Sequence, residues 1–430
     1  MKKERIRGRG ADFASMYLRK IRKQYRCTIS SSPFYSKRFG RGDIRSMEEF
    51  RGLPFTAKTD VLIDQEKNPP FGSNLCVPVE SVIRVHKTSG TTNRPVIIAL
   101  TRNDIKTTVT VGAKCFILSG LQRKDLVVHC FNYNMWAGGY TDHQSLEEAG
   151  AAVIPFGVGN SHALIETILH LRPTAIHCTP SYLSKLEELV QKEFHISCSE
   201  LGLRLGLFGG ESGLQNSDFR STVEKKWGLK AMNANYGMSE VLSMFGAECS
   251  HQSGLHFMGE DVLFPELIDI KRQGSLPIEE GAVGELVLTN LEREAQPLIR
   301  YRTGDIIKVL RKRCSCKRSG FQFEVAGRTD NMLVIKGLNV FPSQIEQILN
   351  KRIDHIGNMY HVLVSRENPI DTIKLVLELK KESRTAVSQL EREIANDFIK
   401  YMDIKPVIEF VNEGELPRSE SKSAKILRTL

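Results

Sequence analysis

The sequence predicts an α/β protein, a large N-terminal domain with mixed and largely parallel sheets followed by a small α+β domain. Three observations lead there. Short apolar, strand-like runs alternate with helical stretches from about residue 100 to 240, the pattern of sheets covered by crossover helices. After Arg328 the texture changes to strands and amphipathic helices mixed on a shorter scale. At 430 residues the chain is long enough to build more than one core.

In chain order, residues 1–50 read as a basic, helical lead-in. Met1-Lys2-Lys3-Glu4-Arg5-Ile6-Arg7-Gly8-Arg9 is cationic, but no apolar signal core follows it. Ser81 to His86 alternates like a strand, and Val96 to Leu100 reads as a second. Thr101-Arg102-Asn103-Asp104 has the form of an N-cap opening a helix toward Leu118. Buried strands are expected at Asp125–Phe131, Ala151–Pro155, Ala175–Cys178 and Leu203–Phe208. Pro180 suits the first turn of a helix with Leu183, Leu186, Leu189 and Val190 on its apolar face. In the last hundred residues, Met332–Ile335 reads as a strand and Pro342 opens a helix carrying Ile345, Ile348 and Leu349. Thr372–Leu379 is a strand, a helix bears Leu390, Ile394 and Phe398, and Val407–Val411 is a final strand.

Composition narrows the function classes only partly. Hydrophobic content of 41% and charged content of 26% are ordinary for a globular protein, and no apolar run is long enough to span a bilayer. The net charge of +10 favours anionic ligands, among them ATP, coenzyme A, nucleic acid or an acidic carrier protein. Neither a zinc-finger nor an RNA-recognition signature accompanies that charge. Nine cysteines, an odd number without a signal peptide, point to a reducing compartment and a cytoplasmic location.

Lys87-Thr88-Ser89-Gly90-Thr91-Thr92-Asn93-Arg94-Pro95 has the makings of a phosphate cradle, with four hydroxyls, one glycine and two cations in nine residues. Its glycine lets the backbone approach an anion closely. The segment joins two strands, whereas a Walker-type loop leads from a strand into a helix. A polar hairpin turn would explain it equally well on its own. Downstream, however, come Tyr236-Gly237-Met238-Ser239-Glu240, Tyr301-Arg302-Thr303-Gly304-Asp305, and Gly327-Arg328-Thr329-Asp330 running on to Lys336-Gly337-Leu338-Asn339. Leu416-Pro417-Arg418-Ser419-Glu420-Ser421-Lys422 closes the series. From about residue 50 onward, the order and spacing of these motifs resemble the adenylate-forming enzyme superfamily, in detail its phenylacetate–coenzyme A ligase branch.

That resemblance implies the adenylate-forming ligase fold: a domain over 1–328 binding ATP and the acyl substrate, a hinge near Asp330 and a mobile lid over 331–430. It implies Thr88, Ser89, Gly90, Thr91, Thr92 and Arg94 around the β- and γ-phosphates. The branch usually has Gly-Lys where this chain has Asn93-Arg94; arginine keeps the cation and asparagine tolerates left-handed backbone. Glu240 would bind Mg²⁺, Tyr236 and Gly237 would pack near adenine, and Ser239 would face the α-phosphate. Asp305 would take both ribose hydroxyls, since a carboxylate accepts two donors at once. Gly209, Gly210 and Glu211 would border the adenine and acyl pockets, and Arg328 would approach ATP. Lys336 and Gly337 would line a coenzyme A tunnel. Lys422 would stabilise the adenylation transition state, although Ser421 replaces the family's glycine and Lys425 is near enough to substitute.

Phe131 to Tyr140 is dense in aromatic residues and falls where the branch builds its acid pocket. Tyr133 and Trp136 would be its walls, with Phe208 and Met238 nearby, and the substrate would be an aromatic carboxylic acid. His143 matches a family histidine without an assigned role. Cys249, His256, Cys314 and Cys316 could form a closed structural zinc site of three thiolates and one imidazole, with His251 as the alternative histidine. Some members of the branch carry a similar arrangement.

The expected activity is ATP-dependent, AMP-forming conversion of an aromatic acid to its coenzyme A thioester. Loading of a carrier-protein thiol, or nucleotidyl transfer as in deazaflavin-adenylylating relatives, are the enzymatic alternatives. A homodimer is left open. A zinc-stabilised nucleic-acid binder using the basic runs at 2–9 and 311–318 is the non-enzymatic alternative, and it leaves the ordered motifs unexplained.

Overall fold

The computed structural model describes residues 2–88, 95–211, 213–215, 217–318, 320–329, 333–335, 338–340, 342–352, 354–367, 370–381, 383, 385–402, 404–416 and 426–428. The chain divides into two compact units, Met1–Gln215 with Arg220–Val325, and Asn216–Phe219 with Ala326–Leu430. Among the described residues, no helix is long and apolar enough to cross a membrane.

The large unit opens with helices α1 (Lys2–Ser31), α2 (Pro33–Phe39), α3 (Met47–Arg51) and α4 (Lys58–Lys67). Ser32 and Ser46 cap α2 and α3 by accepting from the backbone N–H groups of Tyr35 and Glu49. Tyr17, Ile21, Tyr25, Tyr35 and Phe50 form a small core with Phe264 and Leu291, so the lead-in is bound to the domain by packing. Strands β1 (Arg84–Lys87) and β2 (Ile97–Leu100) pair antiparallel, with His86 opposite Ile98. Gln65 covers the outer edge of β2 like a short strand: its side chain donates to Ile97 O at 2.7 Å and accepts from Ile97 N at 2.9 Å. Gln296 accepts from Ala99 N at 2.7 Å on the same edge.

The main sheet has twelve strands. In chain order these are β3 (Leu126–His129), β4 (Ala152–Ile154), β5 (Ala175–Cys178), β6 (Leu205–Gly209), β7 (Lys230–Met238), β8 (Leu242–Glu248) and β9 (Leu255–Phe257). They continue as β10 (Leu263–Ile268), β11 (Ser275–Leu276), β12 (Val283–Asn290), β13 (Tyr301–Arg311) and β14 (Gln322–Arg328). Their spatial order is 11-10-12-13-14-9-8-7-6-5-3-4. The run from β7 to β4 is parallel, and β7 to β9 and β10 to β12 continue antiparallel. Helices α5 (Arg102–Leu118), α6 (Ala137–Glu148), α7 (Ser161–Leu171), α8 (Pro180–Leu189) and α9 (Ser217–Trp227) alternate with the parallel strands. A capping box at Thr101 and Asp104 starts α5, and Pro180 occupies the first turn of α8. Phe116, Leu146, Leu207, Met232, Phe245 and Phe323 belong to the continuous core.

The antiparallel half of this sheet is absent from the sequence expectations, for a physical reason. Its strands bury Glu248, Glu266, Glu285 and Asn290, which break the apolar runs that mark a strand. Arginines match three of these acids: Arg220 with Glu248 at 2.9 Å, Arg300 with Glu266 at 3.1 Å, and Arg302 with Glu285.

The small unit contains a four-stranded sheet ordered β19 (Val407–Asn412), β18 (Ile370–Leu379), β17 (Ile356–Glu367) and β20 (Ile426–Arg428), beside the ribbon of β15 (Leu333–Ile335) and β16 (Leu338–Val340). Ile345, Ile348 and Leu349 of α10 (Pro342–Asn350) and Ile394 and Phe398 of α11 (Val387–Met402) join Val362, Ile373 and Leu375 in its core. The long strand β17 is a further element without a sequence expectation.

Candidate active site

Strand β7 and the turn after it bring most of the described candidates together. Tyr236 lies between the rings of Phe245 and Phe323, edge-on at 5.2 and 5.3 Å, and its hydroxyl donates to Asp305 Oδ2 at 2.7 Å. Asp305 is held in turn by its own N–H, which donates to Thr303 Oγ1 at 3.0 Å. Two motifs 69 residues apart thus meet through one phenol. Gly237 is obligatory here: a Cβ would sit 2.1 Å from Ser243 O on β8. Met238 and Ser239, both half-buried, lead to Glu240 in the turn.

Glu240 pairs with Lys58 Nζ at 2.9 Å, its side chain only 12% exposed. A cation therefore already rests on this carboxylate, and the position suits a hard divalent ion with oxygen ligands. Glu240 also borders a small crevice together with Asn74, Gln65, Val96 and Tyr301.

Thr88 stands at the foot of the hydroxyl-rich segment. Its N–H donates to Val96 O at 3.0 Å and its Oγ1 accepts from Val96 N at 3.0 Å, which extends the β1–β2 ribbon by one pair. Ser89, Gly90, Thr91, Thr92 and Arg94 lie outside the described residues, as do Asp330, Lys336, Gly337, Lys422 and Lys425. Arg328 ends β14 within the small unit.

Gly209 ends parallel strand β6, and Gly210 and Glu211 follow it, where α/β sheets place ligand loops. A Cβ on Gly209 would meet Asn235 Cβ at 2.6 Å, so the glycine lets β6 and β7 close up beside Tyr236. Glu211 accepts from Ser181 N at 3.2 Å and Ser181 Oγ at 2.9 Å, at the start of α8. Phe208 is fully buried within the sheet packing and covers Gly206.

Tyr133 and Trp136 are half-buried, Trp136 just before α6. The Tyr133 hydroxyl lies 2.9 Å from His143 Nδ1, and His143 Nε2 lies 3.1 Å from Glu147. Behind them is a group that the sequence reading left unassigned. His129 Nε2 lies 2.8 Å from Gly139 O and must donate to it. His129 Nδ1 then accepts from His177 Nδ1–H at 2.9 Å. Burial pushes the His129 imidazole down to about 4 and holds His177 well below its ordinary value, so both are neutral. Asp142 is wholly buried, accepts from Asn235 Nδ2, and is held well above the carboxylate range by desolvation. His129 ends β3 and His177 is the penultimate residue of the neighbouring parallel strand β5, so it is the sheet register that sets them side by side.

Cys249, His256, Cys314 and Cys316 converge, with ligand atoms all within 4.8 Å of one another. Cys249 Sγ and Cys314 Sγ are 3.7 Å apart, and Cys316 Sγ is 3.6 Å from His256 Nε2. A tetrahedral zinc with bonds of about 2.3 Å to sulfur and about 2.0 Å to nitrogen sets such edges at about 3.8 and 3.5 Å. A disulfide would need sulfurs about 2.05 Å apart. The donor set and spacing fit zinc. His251 is exposed and outside the cluster.

Residues 337–429 match the AMP-binding enzyme C-terminal domain. The chain is 32% identical over 404 residues to the phenylacetate–coenzyme A ligase of Escherichia coli (strain K12), covering 92% of this chain and 90% of that one. It is 32% identical over 424 residues to that of Pseudomonas putida, covering 95% and 92%. Among solved structures, 2-hydroxyisobutyryl-CoA ligase in its postadenylation state superposes with a TM-score of 0.86 at 25% identity, over 97% of this chain and 90% of the other.

Proposed function

This chain belongs to the phenylacetate–coenzyme A ligase family, and from that membership we propose how its residues divide the work. It is an ATP-dependent, AMP-forming acid–thiol ligase. A carboxylate oxygen attacks the α-phosphorus of ATP and pyrophosphate leaves. The thiolate of coenzyme A then attacks the acyl carbon and AMP leaves, giving the thioester. Such displacements need alignment and charge neutralisation more than covalent help.

The observation that carries the assignment of residues is the Tyr236–Asp305 hydrogen bond beside the Glu240 turn. Asp305 accepts the ribose hydroxyls, oriented for that task by the phenol. Tyr236 presents its ring to adenine, and Gly237 and Ser239 shape the backbone between adenine and the α-phosphate. Glu240 holds magnesium, which when bound neutralises charge on the phosphates. Thr88, Ser89, Gly90, Thr91, Thr92 and Arg94 embrace the terminal phosphates, and Arg328 approaches the nucleotide. Lys422, with Lys425 as its alternative, places a point charge at the adenylation transition state. Asp330 is the hinge between 1–328 and 331–430, and Lys336 and Gly337 line the thiol's path.

The acid is aromatic in this reading. Tyr133 and Trp136 wall the pocket, with Gly209 and Met238 near the carboxylate end and Phe208 supporting the wall from behind. Cys249, His256, Cys314 and Cys316 hold a structural zinc, because four protein ligands leave no open position for catalysis.

Pyrophosphate release tests the reading, measured with ATP, magnesium and a panel of aromatic and aliphatic acids, with and without coenzyme A. One aromatic acid should support release, and coenzyme A should accelerate it. Release with aliphatic acids alone would overturn the substrate assignment, and release indifferent to coenzyme A would overturn the acceptor.

A further inference from the structure

We propose that Lys58 is a working cation of the triphosphate site: it holds Glu240 before nucleotide and metal arrive, then moves to the terminal phosphates. This rests on the assignment of Glu240 as the magnesium ligand.

The ammonium is 2.9 Å from Glu240 Oε1, with the two side chains 36% and 12% exposed. Both ends are anchored through different elements. Thr56 N donates to Arg300 O at 3.0 Å, Arg302 N donates to Thr56 O at 2.9 Å, and Thr56 Oγ1 donates to Ile299 O at 2.8 Å. These bonds stitch the chain two residues before Lys58 to the start of β13, the strand that carries Asp305. Ala57 N donates to Asp60 Oδ2 at 2.8 Å and sets the first turn of α4. On the other side, Val241 O accepts from Asn290 Nδ2 and Arg293 Nη1, both at 3.2 Å, which holds the turn bearing Glu240. Lys58 and Glu240 are thus registered against the same scaffold as the ribose-binding carboxylate.

Helix physics does not place a lysine there. Lys58 is the first residue of α4, where the macrodipole is positive and disfavours a cation. An anion at that end is favoured by the dipole and the ammonium together. The crevice beside Glu240 is mostly apolar; among its lining residues Glu240 alone is charged, and the buried Asn74 Oδ1 lacks a hydrogen-bond partner. A cation entering it competes directly with the ammonium for Glu240. The long stem of lysine lets its charge move without disturbing the backbone, and the incoming polyphosphate supplies its next partner. Lys58 then neutralises the pyrophosphate that must leave.

Calorimetric binding of magnesium pyrophosphate to the full chain tests this apart from turnover, using wild type, Lys58→Met and Lys58→Arg. Lys58→Met should bind pyrophosphate about tenfold more weakly. In acid-dependent pyrophosphate release it should also reach half-saturation at several-fold lower free magnesium, since nothing competes for Glu240. Lys58→Arg should restore pyrophosphate affinity. Unchanged pyrophosphate binding in a Lys58→Met protein that melts like wild type would overturn the proposal. So would a higher magnesium requirement, the mark of a residue that merely supports Glu240. If wild type fails with every acid, the ligase reading fails, while the calorimetric comparison still decides the role of Lys58.

Discussion

The hydroxyl of Tyr236 donates to Asp305 across 2.7 Å and joins strand β7 to strand β13. A hydrogen bond to a charged acceptor contributes roughly 1.5–3 kcal/mol, enough to decide how a carboxylate points. Tyr236→Phe keeps the ring and its packing on Phe245 and Phe323 but removes the phenol's hydrogen bond to Asp305. The KM for ATP should rise about tenfold with a smaller change in kcat. Steady-state kinetics beside a melting curve will check this, and an unchanged KM would mean that the phenol does not orient Asp305.

Lys422→Ala should reduce acyl-adenylate formation about 100-fold or more, as loss of a group acting on transition-state charge does. Transfer from preformed acyl-adenylate to coenzyme A should change little. Lys425→Ala should leave both half-reactions near wild type. Single-turnover assays of the two steps read this directly, and the reverse pattern would identify Lys425 as the working lysine.

The thiol cluster makes a compositional prediction. Metal analysis should find about one zinc per chain in wild type and nearly none in Cys314→Ser, with Tm lower by roughly 5 °C or more. His251→Ala should keep its metal. Full zinc in Cys314→Ser would exclude that sulfur as a ligand.

Acid should destabilise the protein below the ordinary histidine range. Burial depresses both His86 and His129 from 6.5 to about 4. Between these values the unfolded chain binds protons that the folded chain does not, so stability falls as pH falls. From pH 6.5 to 5 the loss should be about 2 kcal/mol per histidine. Urea titrations over that range measure it. His129→Gln should flatten the dependence, and an unaltered slope would contradict a neutral His129.

Asp142 has the opposite sign. Desolvation raises its carboxyl well above 3.8, so its burial costs stability above the unfolded value and costs nothing below it. Asp142→Asn, which can still accept from Asn235, should be at least as stable as wild type at pH 7. The difference should shrink as pH approaches 4. A variant less stable at pH 7 by more than about 2 kcal/mol would show that the charged form is required.

The parallel half of the large sheet was legible because β3, β5 and β6 are buried on both faces and read as unbroken apolar runs. The antiparallel half was not, since Glu248, Glu266 and Glu285 sit inside it with their arginines. Its one readable part was chemical: Tyr236, Glu240 and Asp305 were visible as motifs even though their strands were not. Lys58 was invisible for a different reason. A lone lysine at the start of a helix has no sequence signal, and only its 2.9 Å approach to Glu240 from 182 positions away reveals it. The His129–His177 pair was hidden similarly, because two histidines in separate strands meet only through sheet order.

The outer edge of β2, which Gln65 and Gln296 occupy, bears on how this site tolerates change. An open edge can slip by a residue or recruit a foreign strand. Here two side-chain amides act as a fixed ruler, so Thr88 and Val96 remain opposite one another whatever lies between them. Substitutions in the intervening residues, such as Asn93-Arg94 in place of Gly-Lys, can therefore alter the chemistry offered to a ligand without moving the place from which it is offered. Amide exchange at Ile97 and Ala99 should accordingly be as slow as in the middle of the main sheet, although both lie on the rim of a two-stranded ribbon.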